Sequence, residues 1–276
     1  MASTGASTPA RGGEDWNRAR EAAIAAGVAL RPLETLEDAD RVLEVMISTW
    51  GEHQLLPREL VRALMDSGNE PWGAFDGERL VGYVLGFLGH DQEGAHIHSH
   101  MLAVLPDRQS RGIGYALKLA QRASAVDRGI PCVRWTFDPL LSKNAFFNIA
   151  KLGAVCDRFH RDFYGQMSDA LNRGDRSDRF LVRWDVVALG RGAAGEEGAV
   201  LLDREGPGEL PRPVMRERPA TGPARVRIPQ DYQDLRRRDR GLALAWRDAC
   251  AEAIEDCMAV GLVATGFTAG SAYVFT

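Results

Sequence analysis

The chain has 276 residues, 45% hydrophobic and 26% charged, with a formal net charge of −4. A slightly acidic balance lacks the basic face that a general nucleic-acid binder needs, and no run approaches the roughly 18 apolar residues of a membrane-spanning helix. Cys132, Cys156, Cys250 and Cys257 show no Cys-x-x-Cys spacing and read as reduced core residues, while Met1–Glu14 is small and polar with no signal-peptide core. A soluble, cytoplasmic protein with a disordered segment 1–14 is expected.

A short helix is expected over Asp15–Ala26 and a strand over Val28–Arg31. Ala39, Val42, Leu43 and Met46 recur at the helical period, which predicts a helix over Thr35–Thr49 with Thr35, Glu37 and Asp38 as its capping chemistry. Pro57 opens a second helix that runs to about Met65. Trp72–Phe75, the turn Asp76-Gly77-Glu78 and Leu80–Leu88 form a hairpin pattern. A strand over Ala95–Leu105 and a helix over Gly112–Arg128 follow. Then come a strand Cys132–Phe137, a helix Ser142–Leu152, and strands Ala154–Phe159 and Asp162–Met167. Pro207, Pro211, Pro213, Pro219 and Pro223 break any periodicity across 188–224, which reads as a linker or long excursion. Beyond it, Arg225–Pro229 looks like a strand end, Asp231–Val260 carries one long apolar helical stripe, and Leu262–Phe267 and Ala272–Phe275 close the chain as strands.

The most informative stretch joins the strand Met101–Leu105 to its helix. Pro106 stops the strand, and Gln109-Ser110-Arg111-Gly112-Ile113-Gly114 then turns the backbone so that successive N–H groups and the positive helix end address one anion. The third glycine of a dinucleotide fingerprint is missing, and the pattern is not a phosphate-binding Walker loop either. Just upstream, His96, His98 and His100 alternate and should project from one face. Three short bonds to one metal ion would need less than the about 6.5 to 7 Å between such neighbours, so a polar wall or hydrogen-bonded structural histidines are weighed above a metal site.

Gln/Arg-x-x-Gly-x-Gly/Ala between strand and helix resembles the acyl-CoA loop of the GNAT acetyltransferase superfamily, and the order of elements from Val28 to Met167 is similar to that fold. The resemblance implies an α/β GNAT fold: a mixed, strongly twisted central sheet flanked by helices, over 15–187, with a C-terminal α/β extension at 225–276. Acetyl-CoA or another acyl-CoA would be the co-substrate, with no metal. Leu102 and Val104 would align the pantetheine arm, Gln109, Ser110, Arg111, Gly112, Ile113 and Gly114 would take the pyrophosphate, and Asn144 or Asn148 would reach the pantetheine amide.

In many members a glutamate six residues before the last valine of the strand is the base, and that position holds His98. An unperturbed imidazole near pKa 6.5 accepts a proton at neutral pH without burial. The usual tyrosine of Tyr-x-Lys-x-Gly is Ile149 in Ile149-Ala150-Lys151-Leu152-Gly153, so the expected thiolate acid is absent. Tyr164 from a later strand, or water, would serve instead. Asp138, extended before Pro139, would orient His98 or bind an ammonium, or else only cap the next helix.

His98–Leu102, Arg111–Lys118, Trp135–Leu140, Phe163–Gly165 and Ser177–Phe180 with Trp184 are similar to one bacterial group of the superfamily described only as predicted acetyltransferases. Substrate contacts are expected at His100, Trp135, Asp138 and Arg179; the pair Asp178-Arg179 could clamp a carboxylate or tie the tail to the sheet as an internal ion pair. The reading is an N-acyltransferase acting on the amine of a small metabolite by direct attack on the thioester. The alternative is a non-catalytic acyl-CoA sensor or interaction protein of the same fold. A small-molecule partner is expected, with no nucleic acid and no membrane, and a homodimer is open to it.

Overall fold

The computed structural model describes residues 11–52, 55–167, 174–186, 198–206, 210–217 and 222–276. Expectations for Met1–Ala10, Pro207 and Pro219 lie outside the described residues. Contacts divide the chain between Val133 and Arg134 into two units, so the boundary expected near residue 187 falls inside the second.

The first unit holds α1 (Arg11–Ala26), β1 (Ala29–Pro32), α2 (Leu36–Trp50), α3 (Arg58–Asp66), β2 (Trp72–Asp76), β3 (Arg79–Asp91), β4 (Gly94–Val104) and α4 (Ile113–Asp127). The strands pair antiparallel in chain order. α2 starts where Thr35 accepts from Asp38 N at 3.1 Å and the Asp38 carboxylate accepts from Thr35 N at 3.2 Å, the reciprocal box that satisfies otherwise orphaned helix donors. Its apolar face, Ala39, Val42, Val45 and Met46, joins Val81, Tyr83, Leu85, Ile113 and Leu117 in one core. α4 is buried along most of its length because strands lie against it and α1 packs along it as well. α1 is pinned by Trp16 Nε1 donating to Asp127 at 2.6 Å and by an Asp15–Arg122 pair at 3.7 Å.

β5 (Cys132–Phe137) crosses the boundary, and the second unit goes on with α5 (Ser142–Ala145), which continues into a π-helical turn over Phe146–Lys151. β6 (Val155–His160), β7 (Arg179–Asp185), β8 (Ala199–Glu205), β9 (Arg212–Met215), β10 (Ala224–Arg227), α6 (Tyr232–Arg238), α7 (Arg240–Ala259), β11 (Ala264–Phe267) and β12 (Ala272–Phe275) follow. The strand order is β5-β7-β6-β11-β12-β10-β8-β9, with β8 and β10 parallel. The sheet is therefore mixed, as expected.

Three expectations change. Asp162–Met167 is not a strand: Asp162 has φ 48°, Gly165 N bonds Asp162 O, and β7 fills that place. The proline-rich stretch 188–224 contains β8 and β9, which pair antiparallel with Pro213 opposite Arg204; β9 ends the strand order, and an edge strand tolerates proline. The long C-terminal stripe is two helices, because Asp239 stands extended at φ −145°, ends α6, and caps α7 by accepting from Leu242 N at 2.9 Å. Among the described residues, no helix is long and apolar enough to cross a membrane.

Candidate functional site

The loop between β4 and α4 has the backbone that the sequence asks for. After a single turn of 3₁₀ helix at Pro106–Arg108, Ser110 takes φ 63° and Gly112 takes φ 88°. Gly112 is the N-cap of α4 and offers it no side-chain acceptor. The first amide N–H groups of α4 thus keep no side-chain cap, and they point the positive end of a 15-residue helix into the loop, where Arg111 is exposed. Space does not demand glycine at 112, since a Cβ would come no nearer than 3.8 Å to Ala26; the left-handed backbone does. Gln109 plays a part that the sequence did not suggest. Its Nε2 turns back to donate to Val104 O at 3.1 Å, closing the end of β4.

β4 does not alternate along its whole length. Ser99 pairs with Gly86 and Met101 with Leu85, which leaves His100 as one extra residue against β3. Such a bulge resets which side chains face which way. On the α4 side stand Ser99, reached by Lys118, and Val104, which with Ile113 lies within 3.3 Å of where a Cβ on Gly82 would sit. Leu102, two before Val104, shares that side. His98 and His100 turn the other way, their rings 6.0 Å apart and each against Phe87, at 5.0 and 5.9 Å. Leu102 and Val104 can therefore meet a pantetheine arm only through backbone, since their side chains pack toward α4.

The imidazole of His98 differs electrostatically from the free side chain. Partial burial, with His100, His96 and Lys118 adding positive charge around it, lowers its pKa from 6.5 to about 4. His98 is unprotonated across neutral pH, as a base must be, yet weaker than the unperturbed group. His100 is exposed, but packing against Phe87 and His98 removes enough water to lower its pKa too. Beneath them on the α4 side, the Lys118 ammonium is 2% exposed and donates to Ser99 Oγ and Gln121 Oε1, both at 3.0 Å. Burial drives its pKa well below 10.5.

The candidates in the second unit are bound into that unit's own structure. Asp138, expected to orient a base or hold an ammonium, receives both terminal nitrogens of Arg247 at 2.7 and 2.9 Å and the N–H of Leu140 at 2.9 Å. It is thus one half of an internal ion pair and caps a turn, so its carboxylate is already engaged where a base or an ammonium site was expected. Arg179 is buried, donates to Asp178 O, and lies 3.9 Å from Asp138, so it is no open clamp for a carboxylate. Asp178 pairs with Arg176 instead. Trp135 Nε1 donates to Asn148 at 3.2 Å, and both are buried. Asn144 is exposed, so the two asparagines do not share one accessible face; the π turn that starts at Phe146 adds a residue to the helical repeat between them. Tyr164 is exposed in a turn with its hydroxyl 3.0 Å from Thr136 Oγ, and Ile149 is buried.

Sequence reasoning missed the bulge, Lys118 and Arg247. A lysine inside Ala116-Leu117-Lys118-Leu119-Ala120 and an arginine after Trp246 in an apolar stripe were the available signals, since a charge in a buried stretch must find polar partners.

Residues 35–150 match the family model described as acetyltransferase (GNAT) family. This segment, 116 of the 276 residues, carries the GNAT family pattern. The match runs from α2 into the π turn and includes the bulged strand and the Gln109–Gly114 loop. Solved structures are similar at low identity. A ribosomal-protein alanine N-acetyltransferase from Escherichia coli is 15% identical over 61% of this chain and 97% of its own, with a TM-score of 0.47. NAA60 of Arabidopsis thaliana in complex with acetyl-CoA is 16% identical over 57% and 99%, also at 0.47. An aminoglycoside acetyltransferase from an uncultured soil metagenomic sample, in complex with sisomicin, is 17% identical over 42% and 80%, at 0.38. No curated protein matches the chain. At these scores the solved structures identify neither acceptor nor acyl group.

Proposed function

We propose that the protein is an acyl-CoA-dependent N-acyltransferase that moves an acetyl or other small acyl group to the amine of a small metabolite by direct attack on the thioester, with His98 as the base. The observation that carries the reading is the uncapped N-terminus of α4 behind the reversed backbone at Ser110 and Gly112, one strand-end away from an unprotonated histidine. A diphosphate is the anion that such a cradle suits: backbone N–H groups of the loop and the exposed Arg111 meet its charge, and neutral side chains on the strand leave the thioester undisturbed.

Acyl-CoA supplies an activated carbonyl. As the amine nitrogen bonds the carbonyl carbon, that nitrogen becomes an acidic ammonium, so even a base with a pKa near 4 can take its proton at His98 as the carbon–sulfur bond breaks. The sulfur leaves as a thiolate more basic than that of cysteine, whose pKa is about 8.5, and this lets water return a proton without a dedicated acid. Tyr164→Phe tests that point, because a large loss of kcat would make the phenol the donor.

Buried thiols at Cys156 and Cys250, with pKa values raised by desolvation, argue against a covalent acyl-enzyme on either. The deciding experiment incubates the protein with acetyl-CoA and succinyl-CoA against a panel of amines and follows free thiol and acylated product together. Calorimetric CoA binding without any product would favour the sensor reading, for which the absent tyrosine at Ile149 speaks.

A further inference from the structure

Lys118, Gln121, Ser99 and Gly86 form a buried cluster that the acyl-transfer reading does not use. Lys118 enters β4 from α4 at the residue immediately before the extra one, His100, and between the two histidines that face the opposite side. Gly86, across from Ser99, is the only side-chain-free solution at that point: a Cβ there would lie 2.7 Å from His98 O and 3.1 Å from Gln121 Nε2. The cleared space is filled by the Gln121 amide, whose oxygen holds the lysine at 3.0 Å. A lysine at 2% exposure costs folding energy that a methionine of similar length would not.

We propose that Lys118 is a positioning residue for His98: through Ser99 it locks the bulged register of β4 and so fixes the direction of the imidazole. The inference rests on reading His98 as the base. A bulge is the weak point of a ladder, because one residue has no partner across it and the strand can slip to the unbulged register. Slippage would exchange the faces of His98 and Ser99. An apolar side chain at 118 could not hold Ser99 against that exchange, whereas two hydrogen bonds from one amino group tie strand and helix at a single depth. The titratable groups around His98 are His96 and His100 on its own strand and Lys118 from α4, while β3 presents Phe87.

The test uses Lys118→Met, Ser99→Ala and the double variant in the full chain. Three readouts are taken: thermal unfolding, kcat and KM for acyl-CoA, and the NMR titration of the His98 ring. With the lock removed, kcat falls roughly tenfold while KM for acyl-CoA holds, since the loop is untouched and only orientation is lost. The double variant loses no more than Lys118→Met alone, because both singles cut one connection. Lys118 is one of the groups that hold the His98 pKa down, so the His98 midpoint moves upward in Lys118→Met. Full kcat with an unmoved midpoint in folded Lys118→Met overturns the proposal, and so does strict additivity of the two losses. If Lys118→Met does not fold, Ser99→Ala carries the same kcat outcome, and full kcat in the folded Ser99→Ala protein overturns the proposal. His98→Ala at full kcat would instead sink the base assignment, and the midpoint and the coupling of the two variants in unfolding would still decide the lock.

Discussion

Arg247 on α7 clasps Asp138 at the end of β5 through both terminal nitrogens, at 2.7 and 2.9 Å, and the same guanidinium reaches Asp175 at 2.6 Å. One buried cation therefore holds two carboxylates that are 37 residues apart in sequence. Tyr232 completes the group by donating to Asp175 at 2.8 Å and lying under the guanidinium at 4.8 Å.

Replacing Arg247 by leucine leaves Asp138 and Asp175 buried without their cation, and breaking a pair of this kind costs about 3–5 kcal/mol. Urea unfolding should show that loss at pH 7. Burial alone would raise the pKa of Asp175, but Arg247 and the Tyr232 hydroxyl hold it below its ordinary 3.8. A carboxylate with a depressed folded pKa contributes stability above the unfolded value and loses it as pH falls through the folded one. The wild type should accordingly lose this contribution below about pH 4, and Arg247→Leu should show a flatter dependence there. A variant within 1 kcal/mol of wild type would mean that the pair only breaks even.

His98→Ala should lower kcat by about 10² or more while leaving KM for acyl-CoA unchanged. With His98 titrating near 4 instead of 6.5, the acidic limb of kcat/KM lies near pH 4. The same depression affects folding. The native state refuses a proton that the unfolded chain accepts below about 6.5, so stability declines as pH falls from 6.5 toward 4. His98→Ala removes that part of the decline, which pH-dependent thermal unfolding would reveal. A limb near 6.5 would place the essential base elsewhere.

How far the sequence reaches is clear from the strand that carries this residue. The loop, the helix behind it and nearly every element of the first unit are local patterns: a proline stop, glycines at φ 88° and 60°, a Thr35 box, apolar periods. What His98 faces is also local. What surrounds it is not, because the bulge at His100 depends on Gly86 from another strand and on Lys118 from a helix, and alternation in β4 alone carries no sign of it. The second unit was harder for the same reason. Asp138 looks like an active-site acid until Arg247, 109 residues later, is seen to neutralise it. Proline density concealed β9 because an edge strand needs only one row of hydrogen bonds.

Thr35→Ala removes one half of the capping box that starts α2. The loss should be about 1 kcal/mol of stability, with no change in kcat, since Asp38 keeps Arg31 at 2.7 Å and stays charged. Chemical denaturation and steady-state rates on one preparation check both halves of the statement.

Gly112→Val separates the cradle from the base. Valine at φ 88° is strained by about 1–2 kcal/mol, and relief comes from shifting the backbone of the loop. Nothing crowds a side chain there, so the first unit remains folded around its core. The N–H groups at the start of α4 then no longer converge. Calorimetry should show acyl-CoA binding weakened by at least tenfold, while the NMR titration of His98, set by Phe87, its neighbouring histidines and Lys118, stays where it was. Binding at wild-type strength would mean that the anion is held by side chains such as Arg111 and not by the turn. In that event Arg111→Ala should show the loss that Gly112→Val did not.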